Sequence, residues 1–281
     1  MAIGFIGLGN IGRPMAQQLL KLGEEIWVYD VAAAPAAALA AGGARVARGP
    51  RELATHCRIV GICVRDEHDV GSVLHGNDGL LAHLVPEAIV AVHSTVAQAA
   101  VLGWAAEAAV RHIHLIDAPM SGGAAGAEQG TLVYMAGGAA QLIERCRPLW
   151  ATSGEKIIHA GPVGAGILLK LCNNLMTYAA FTAIHEATRL ARAGGLNAEL
   201  LAEVGRGNGV VTPQMAAFMG NRDKLAALGE PALRRAFAPF AALADKDLSA
   251  ALASARELDL SLPATEQVAR MIETVFLNTD G

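Results

Sequence analysis

The sequence contains few aromatic residues, little charge and no cysteine motif. Aromatic residues make up 4% of its 281 residues and charged residues 17%, whereas hydrophobic residues reach 53%. The net charge is −4 and no basic run occurs, so we expect no nucleic-acid partner, because nucleic-acid-binding proteins carry basic patches. The cysteines lack the CxxC spacing of metal or redox sites, which predicts reduced thiols, no metal centre and a cytoplasmic protein: Cys57, Cys63, Cys146 and Cys172.

Signals for secretion or membrane insertion are also missing. Met1 leads directly into an apolar run without a basic leader, which argues against a signal peptide. The most apolar long stretch, after Pro162, is interrupted by Lys170, Asn173 and Asn174, so we interpret it as a buried helix and expect no membrane partner. A length of 281 residues predicts two domains rather than one core.

The beginning of the chain has the pattern of a dinucleotide-binding unit. An apolar run at 2–8 predicts a buried strand, which passes through a G-x-G-x-x-G sequence into a helix-like segment. The first glycine would permit a tight turn, the second the close approach of a pyrophosphate, and the third the packing of helix on strand. An ordinary strand–helix turn is the alternative. We predict that the cofactor contacts Gly7, Gly9, Asn10, Ile11 and Gly12.

Asp30 favours the dinucleotide interpretation and indicates which dinucleotide binds. It ends the next predicted strand, 18 positions after Gly12, where a ribose-binding carboxylate is expected. A carboxylate there accepts hydrogen bonds from ribose hydroxyls and repels a 2′-phosphate, and the following Val31-Ala-Ala-Ala offers no arginine. We therefore predict NAD as the cofactor, with NADP as the second possibility.

The alternation of strands and helices continues to about residue 160 and then stops. Such alternation predicts an α/β Rossmann domain with a doubly wound parallel sheet, whereas the remaining segments predict an all-α C-terminal domain joined by a long interdomain helix. We place the domains at 1–161 and 162–281, and within the second we expect a loop at 221–231 and a helix at 240–255. Ligands bind beyond the carboxyl ends of the strands in this fold, which directs attention to Val64, Ser94-Thr95 and the segment after Asp117.

The segment after Asp117 and the long helix contain the other candidates. Ser121-Gly122-Gly123 leaves successive N–H groups unshielded, which suits a small carboxylate, although spacing alone supports a flexible glycine turn equally well. Lys170 and Asn174 lie four apart in a helix predicted at 163–193, and therefore on one face. A lysine that reaches solvent from a buried helix is the alternative for Lys170.

These motifs together resemble the β-hydroxyacid dehydrogenases, the family of 3-hydroxyisobutyrate dehydrogenase and tartronate semialdehyde reductase. The resemblance covers nearly the whole chain. It rests on the glycine loop followed by Pro14-Met15-Ala16, on Asp117-Ala-Pro-Met-Ser-Gly-Gly123, on Gly161-Pro-Val-Gly-Ala-Gly166 with Lys170 and Asn174, and on Lys246-Asp247-Leu248.

The resemblance implies an active site between the two domains and a homodimer or homotetramer. It assigns the substrate carboxylate to Ser121, Gly122 and Gly123, the acid/base role to Lys170, and a hydrogen bond to the reacting substrate to Asn174. It places Val64, Ser94 and Thr95 near the nicotinamide ribose, and Lys246, supported by Asp247, over the cofactor or substrate. The substrate would be a small 3-hydroxy acid or its semialdehyde.

The sequence departs from the family pattern in three places. His93 stands where an acidic residue is common, Val64-Arg65-Asp66 replaces an apolar-Pro turn, and Pro239-Phe240 shifts the aromatic residue ahead of Lys246. These departures bear on the substrate more than on the chemistry. Two other functions stay open: an imine reductase-like NADPH-dependent reductase, against which Lys170 argues, and a non-catalytic dinucleotide-binding module.

Overall fold

A computed structural model describes residues 2–278 and divides the chain into two compact units. The first unit comprises Met1–Lys170 and the second Leu171–Gly281. The division falls within a long helix, so the predicted domain boundary between residues 161 and 162 remains a prediction.

The first unit is built on a mixed but mainly parallel sheet. Its strands are β1 Ile3–Ile6, β2 Ile26–Tyr29, β3 Arg45–Val46, β4 Ile59–Ile62, β5 Ile89–Val92, β6 His114–Asp117, β7 Met120–Ser121, β8 Leu132–Gly137 and β9 Gly154–Gly161. Strands β1 to β6 pair in parallel in the order β3-β2-β1-β4-β5-β6, which confirms the predicted Rossmann sheet. Beyond β6, β8 runs antiparallel to β6 and β7 and parallel to β9, a reversal that strand patterning alone did not predict.

Helices cover both faces of this sheet, as buried parallel strands require. They are α1 Gly12–Leu19, α2 Ala33–Ala41, α3 Pro50–His56, α4 Glu67–Leu74, α5 Leu80–His83, α6 Gln98–Val110, α7 Gly123–Gln129 and α8 Ala140–Trp150. In β1, Ile3 and Phe5 join one apolar cluster whereas Ile6 joins the other, because successive side chains point to opposite faces. The doubly wound architecture therefore has two cores.

Helix α9, Ala165–Ala193, begins in the first unit and ends in the second. By length and composition alone it could cross a membrane, with a mean hydropathy of 1.3. Its apolar residues have protein partners instead, since Ile167 belongs to a core cluster of the first unit and Tyr178 and Phe181 to one of the second. Core packing therefore accounts for part of its hydrophobicity, while Met176 and Leu190 of the same helix are exposed.

The rest of the second unit consists of helices joined by short loops, with no strand among its described residues, as the sequence predicted. Its helices are α10 Ala198–Gly207, α11 Pro213–Ala226, α12 Glu230–Glu257 and α13 Pro263–Leu277. The segment 221–231, predicted as a loop, is mostly helical. The helix predicted to begin at Phe240 in fact starts at Glu230 and continues through Pro239. A proline inside a helix removes a backbone hydrogen bond and crowds the preceding turn, which is why the sequence favoured a helix start after Pro239.

Five of the six phenylalanines lie in the second unit, and four of them form one cluster. The rings of Phe181 and Phe218 lie 4.6 Å apart between centroids at a tilt of 30°, and Phe276 contacts both rings edge-on. Phe237 packs against the same group. Large rings bury much apolar area each, so this cluster fixes α9, α11, α12 and α13 together within the second unit.

Candidate active site

The glycine loop after β1 has the geometry that a dinucleotide requires. Gly7 has a φ of +92°, and a Cβ there would collide with the carbonyl oxygen of Cys63. A Cβ at Gly12 would collide with the carbonyl oxygen of Gly7 and lie 3.3 Å from the Phe5 ring. A Cβ at Gly9, in contrast, would meet nothing within 4 Å. Gly7 and Gly12 thus close the turn, while Gly9 leaves open space where a pyrophosphate would approach, with exposed Asn10 and half-buried Ile11 beside it.

Asp30 lies at the end of β2 and holds this loop by its carboxylate. Its Oδ2 accepts a hydrogen bond of 2.6 Å from the Leu8 N–H, and its Oδ1 accepts one of 2.7 Å from the Ala32 N–H. Each carboxylate oxygen has a second lone pair, so both remain able to accept a ribose hydroxyl. The next side chain, Val31, is 94% exposed and carries no charge that could hold a 2′-phosphate.

Val64 and Ser94 follow β4 and β5 and are directly bonded to each other. The Ser94 hydroxyl accepts from the Val64 N–H and donates to the Val64 carbonyl, both at 2.9 Å. Ser94 is buried and Thr95 half-buried. Val64 also adjoins Gly7, because a Cβ on that glycine would lie 2.9 Å from Val64 Cγ1. The structure thus brings three predicted cofactor positions together, and their contact with the nicotinamide ribose remains a prediction.

The charged residues after Val64 serve helix α4. Asp66 caps its N-terminus by accepting a hydrogen bond of 2.9 Å from the Asp69 N–H. Arg65 forms a 2.8 Å ion pair with Asp69. Arg65 and Asp66 therefore both interact with Asp69 of this helix, one through an ion pair and the other through the helix cap.

His93, the residue that departs from the family pattern, is a buried structural histidine. Its Nδ1 lies 2.8 Å from the Ala118 carbonyl, so this nitrogen carries the proton and donates. Its ring stacks on Phe5 with 5.9 Å between ring centroids. Burial lowers the pKa of His93 to about 4, against which the bond to Ala118 acts. The neutral imidazole therefore joins the end of β5 to the segment that follows β6.

The Ser121-Gly122-Gly123 segment is ordered by a short strand and a helix. Ser121 pairs with Val133 of β8, and Gly123 begins α7, so the loop expected after Asp117 is largely regular structure. Gly122 and Gly123 have φ values of +127° and +64°, which favour glycine, and both are exposed. Their N–H groups are thus accessible at the start of the helix.

The other end of α7 is fixed by the cofactor-side helix α1. The side-chain Nε2 of Gln18 donates to the Glu128 carbonyl at 2.6 Å and to the Ala127 carbonyl at 3.3 Å. Gln18 is buried, and sequence reasoning did not single it out. The bonds connect the helix after the glycine loop to the segment that contains the predicted carboxylate site.

Lys170 lies on α9 at the end of the first unit and is half-buried. The helix begins beside Asp117, whose Oδ1 accepts from the Gly164 N–H and whose Oδ2 accepts from the Ile167 N–H, both at 2.7 Å. Sequence reasoning assigned Asp117 to the end of its strand and to bracing the loop that follows, and not to the helix. A signal was available, since Gly161-Pro-Val-Gly164 offers no capping side chain and the N–H groups of the first turn need an acceptor from elsewhere.

Within the second unit, Asn174 belongs to a buried polar cluster centred on Asp247. Asp247 is 2% exposed; its Oδ2 accepts 2.7 Å from Asn174 Nδ2 and 3.0 Å from the Tyr178 hydroxyl. Lys246 Nζ lies 3.0 Å from Asp247 Oδ1. Burial raises the pKa of Tyr178, and the charge of Asp247 adds to this effect. Tyr178 was not predicted, although it lies four residues after Asn174, as Asn174 does after Lys170.

No group of three or more histidine, cysteine, aspartate or glutamate side chains in residues 2–278 could hold a metal ion. The described cysteines are free, and burial raises the pKa values of Cys57 and Cys146 to about 12.

Comparisons with known proteins agree with this arrangement. Residues 2–161 match the family model described as the NAD-binding domain of 6-phosphogluconate dehydrogenase. Residues 164–280 match the model described as NAD-binding of NADP-dependent 3-hydroxyisobutyrate dehydrogenase. Both descriptions concern nicotinamide dinucleotides and confirm the predicted type of cofactor.

Individual relatives are dehydrogenases of hydroxy acids. The NAD-dependent L-serine dehydrogenase of Pseudomonas aeruginosa is 41% identical over 73% of this chain and 68% of its own length. The 2-(hydroxymethyl)glutarate dehydrogenase of Eubacterium barkeri is 33% identical over 96% of this chain and 88% of its own. The structure of Mycobacterium tuberculosis 3-hydroxyisobutyrate dehydrogenase with L-serine superposes with a TM-score of 0.81 at 27% identity, covering 100% of this chain and 97% of that one.

Proposed function

Since this chain belongs to the β-hydroxyacid dehydrogenase family, we propose that it interconverts a small 3-hydroxy acid and its semialdehyde, using NAD and with Lys170 as the acid/base. L-Serine, 3-hydroxyisobutyrate and 2-(hydroxymethyl)glutarate, which the relatives are named for, share one chemical unit. Each carries a primary alcohol one carbon away from the carbon that bears a carboxylate. That unit defines the substrate class.

Different residues of the first unit would bind the dinucleotide and the substrate. The loop Gly7–Gly12 and Asp30 would hold the dinucleotide, which supplies the hydride acceptor when bound. The exposed N–H groups at Gly122 and Gly123, with the Ser121 hydroxyl, would hold the substrate carboxylate, because successive backbone amides form a good anion site. One carboxylate anchor fixes the distance at which the alcohol carbon is presented.

Lys170 would take the hydroxyl proton during oxidation and return it during reduction. Its ammonium form also stabilises negative charge that grows on the carbonyl oxygen when a semialdehyde is reduced. Asn174 would orient the same oxygen by a hydrogen bond, and its amide does not titrate. Its side chain is held in place because its Nδ2 donates to Asp247 Oδ2. Lys246, paired with Asp247, would contact cofactor or substrate.

The surroundings of Asp30 support NAD over NADP. Its carboxylate and the exposed, uncharged Val31 leave no favourable partner for a 2′-phosphate. Lys170 argues against both alternative functions, because an imine reductase-like enzyme would commonly use another proton donor, and a non-catalytic module would have no need of this lysine.

We place the protein in the cytoplasm and propose a homodimer or homotetramer. The second unit exposes large apolar side chains that a second copy of the chain could cover. Examples are Met176, Leu190, Val204 and Leu228.

The observation that carries the proposal is the occurrence of a half-buried lysine and an open pair of glycine amides in one unit with a dinucleotide loop. The test is the Lys170→Ala variant, assayed with NAD against L-serine, 3-hydroxyisobutyrate, 2-(hydroxymethyl)glutarate and glycerate. We expect kcat to fall by about 10²–10⁴-fold, the usual contribution of a positioned acid/base, with unchanged NADH binding. The exposed Lys156→Ala variant is the control. Near-normal turnover by Lys170→Ala would refute the role of Lys170.

A further inference from the structure

Asp117 is a fully buried carboxylate that joins two parts of the candidate site. Its side chain is 0% exposed at the end of β6, four residues before Ser121. Its two oxygens accept hydrogen bonds from the Gly164 and Ile167 N–H groups, each at 2.7 Å. The same residue thus starts the segment that leads to the predicted carboxylate site and holds the first turn of the helix that presents Lys170.

The geometry around Asp117 requires a carboxylate of this length. Both oxygens face N–H donors, so the ionised form fits, whereas a protonated oxygen would direct a hydrogen at a donor. A Cβ at Gly137 would collide with Oδ1, and a Cβ at Gly166 would lie 2.9 Å from Oδ2. Burial raises the pKa of Asp117, and the backbone N–H groups of Gly164 and Ile167 oppose that rise. No larger acid fits this space.

Helix α9 depends on this contact because its own sequence supplies no cap. Gly164 has a φ of +87° and precedes the helix, and its carbonyl accepts a 3.0 Å bond from Gln98 Nε2. Ile167 lies three residues, slightly less than one turn, before Lys170, so a shift of the first turn moves the lysine directly. A negative charge at a helix N-terminus also stabilises the helix through its dipole.

We propose that Asp117 is a positioning residue, which sets the location of the Lys170 amine relative to the Ser121–Gly123 carboxylate site. The proposal rests on the proposed function of Lys170. A displacement of about 1 Å at a reacting group can cost about 10²-fold in rate, so the contact has catalytic consequences although Asp117 touches no substrate.

Three variants separate position from charge. Asp117→Asn keeps the shape but turns one acceptor into a donor that faces an N–H. Asp117→Glu keeps the charge in a space too small for it. Gly166→Ala leaves the carboxylate intact and displaces the helix start, because its Cβ would also collide with the Met135 carbonyl. We expect each to lower kcat at least tenfold while the Kd for NADH changes less than twofold.

A fall in kcat caused by lower protein stability must be distinguished from one caused by displacement of the Lys170 amine. Leu80→Ala removes a fully buried side chain from α5, which packs on α3 and α4, and serves as the control with a lowered melting temperature. Its kcat should stay within twofold of the unmodified protein. Should Asp117→Asn not fold, Asp117→Ser carries the test, since it is smaller and keeps one capping acceptor.

A direct readout of the lysine keeps this inference separable from the proposed function. Reductive ¹³C-methylation labels all five lysines: Lys21, Lys156, Lys170, Lys224 and Lys246. The resonance that disappears in the Lys170→Arg variant is that of Lys170. We expect Asp117→Asn to shift the Lys170 resonance and leave that of Lys156 unchanged. An unshifted Lys170 resonance, or a kcat within twofold of normal in Asp117→Asn, would overturn the positioning role. If Lys170→Ala itself keeps its turnover, the proposed function fails, and the resonance alone decides whether Asp117 places the amine.

Discussion

The buried His93 predicts how the stability of the first unit depends on pH. Its imidazole is neutral in the folded protein, with Nδ1 donating to Ala118 and the ring stacked on Phe5. The pKa of His93 falls from 6.5 to about 4 on burial. The unfolded chain therefore binds a proton between these values that the folded chain does not, and stability is lost as the pH falls from about 6.5 towards about 4.

The size of the effect follows from the two pKa values. Between pH 7 and pH 5, a histidine that titrates at 6.5 when unfolded and at about 4 when folded removes about 2 kcal/mol from the free energy of unfolding. Below pH 4 the loss from this group levels off. Surface acids such as Glu52, whose pKa its hydrogen bond to Arg48 lowers, contribute mainly at more acidic pH.

Urea unfolding followed by tryptophan fluorescence measures this loss, because Trp27, Trp104 and Trp150 all lie in the first unit. His93→Asn keeps a donor near the position of Nδ1 but does not titrate. It is expected to be less stable at every pH, since it loses the ring, but its stability should fall by about 2 kcal/mol less between pH 7 and pH 5. His68→Asn removes an exposed histidine and is the control. Equal pH dependence in the unmodified protein and His93→Asn would refute the reasoning.

Two further predictions concern the cofactor loop and the polar cluster. Gly9→Ala should leave the melting temperature within about 2 °C and weaken NADH binding at least tenfold in a fluorescence titration, because its Cβ meets no protein atom. Gly12→Ala should lower both the melting temperature and the affinity for NADH, because its Cβ collides with the Gly7 carbonyl. Equal melting temperatures of the Gly9→Ala and Gly12→Ala variants would contradict this difference. Tyr178→Phe should destabilise the protein by about 1–3 kcal/mol in thermal unfolding, since it removes a buried hydrogen bond to the Asp247 carboxylate. No change in its melting temperature would show that water replaces the hydroxyl.

Much of the fold could be predicted because its signals are local. The strand, glycine loop and helix of the first 20 residues are read from apolar runs and glycine spacing. Helix α9 was predicted within two residues at its start, since glycines flank it at both ends. The direction of β8 could not be predicted in this way, because strand patterning records which face is buried and not which neighbour a strand pairs with.

The candidate site shows the same division between local and distant signals. Gly7, Gly9 and Gly12 could be assigned separate roles because each role depends on backbone within the loop. Asp117 could not, because its partners lie 47 and 50 residues away, and only the fold brings them together. The role of Gln18 was not predicted for the same reason, because its acceptors lie 109 and 110 residues away.

The side chains that follow the parallel strands share a physical role in this fold. Asp30 after β2, Ser94 and His93 after β5, and Asp117 at the end of β6 each bond to the backbone of another segment. Their polar atoms therefore fix the positions of turns, while the N–H groups at Gly122 and Gly123 stay accessible for a ligand. Backbone N–H groups cannot be removed by substituting a side chain. Their positions, and therefore the ligand that they bind, change when the residues that fix this backbone are substituted. Substitutions at His93 or Asp117 should therefore alter ligand geometry although neither side chain contacts the ligand, and the effect should be larger for Asp117, which accepts two backbone hydrogen bonds.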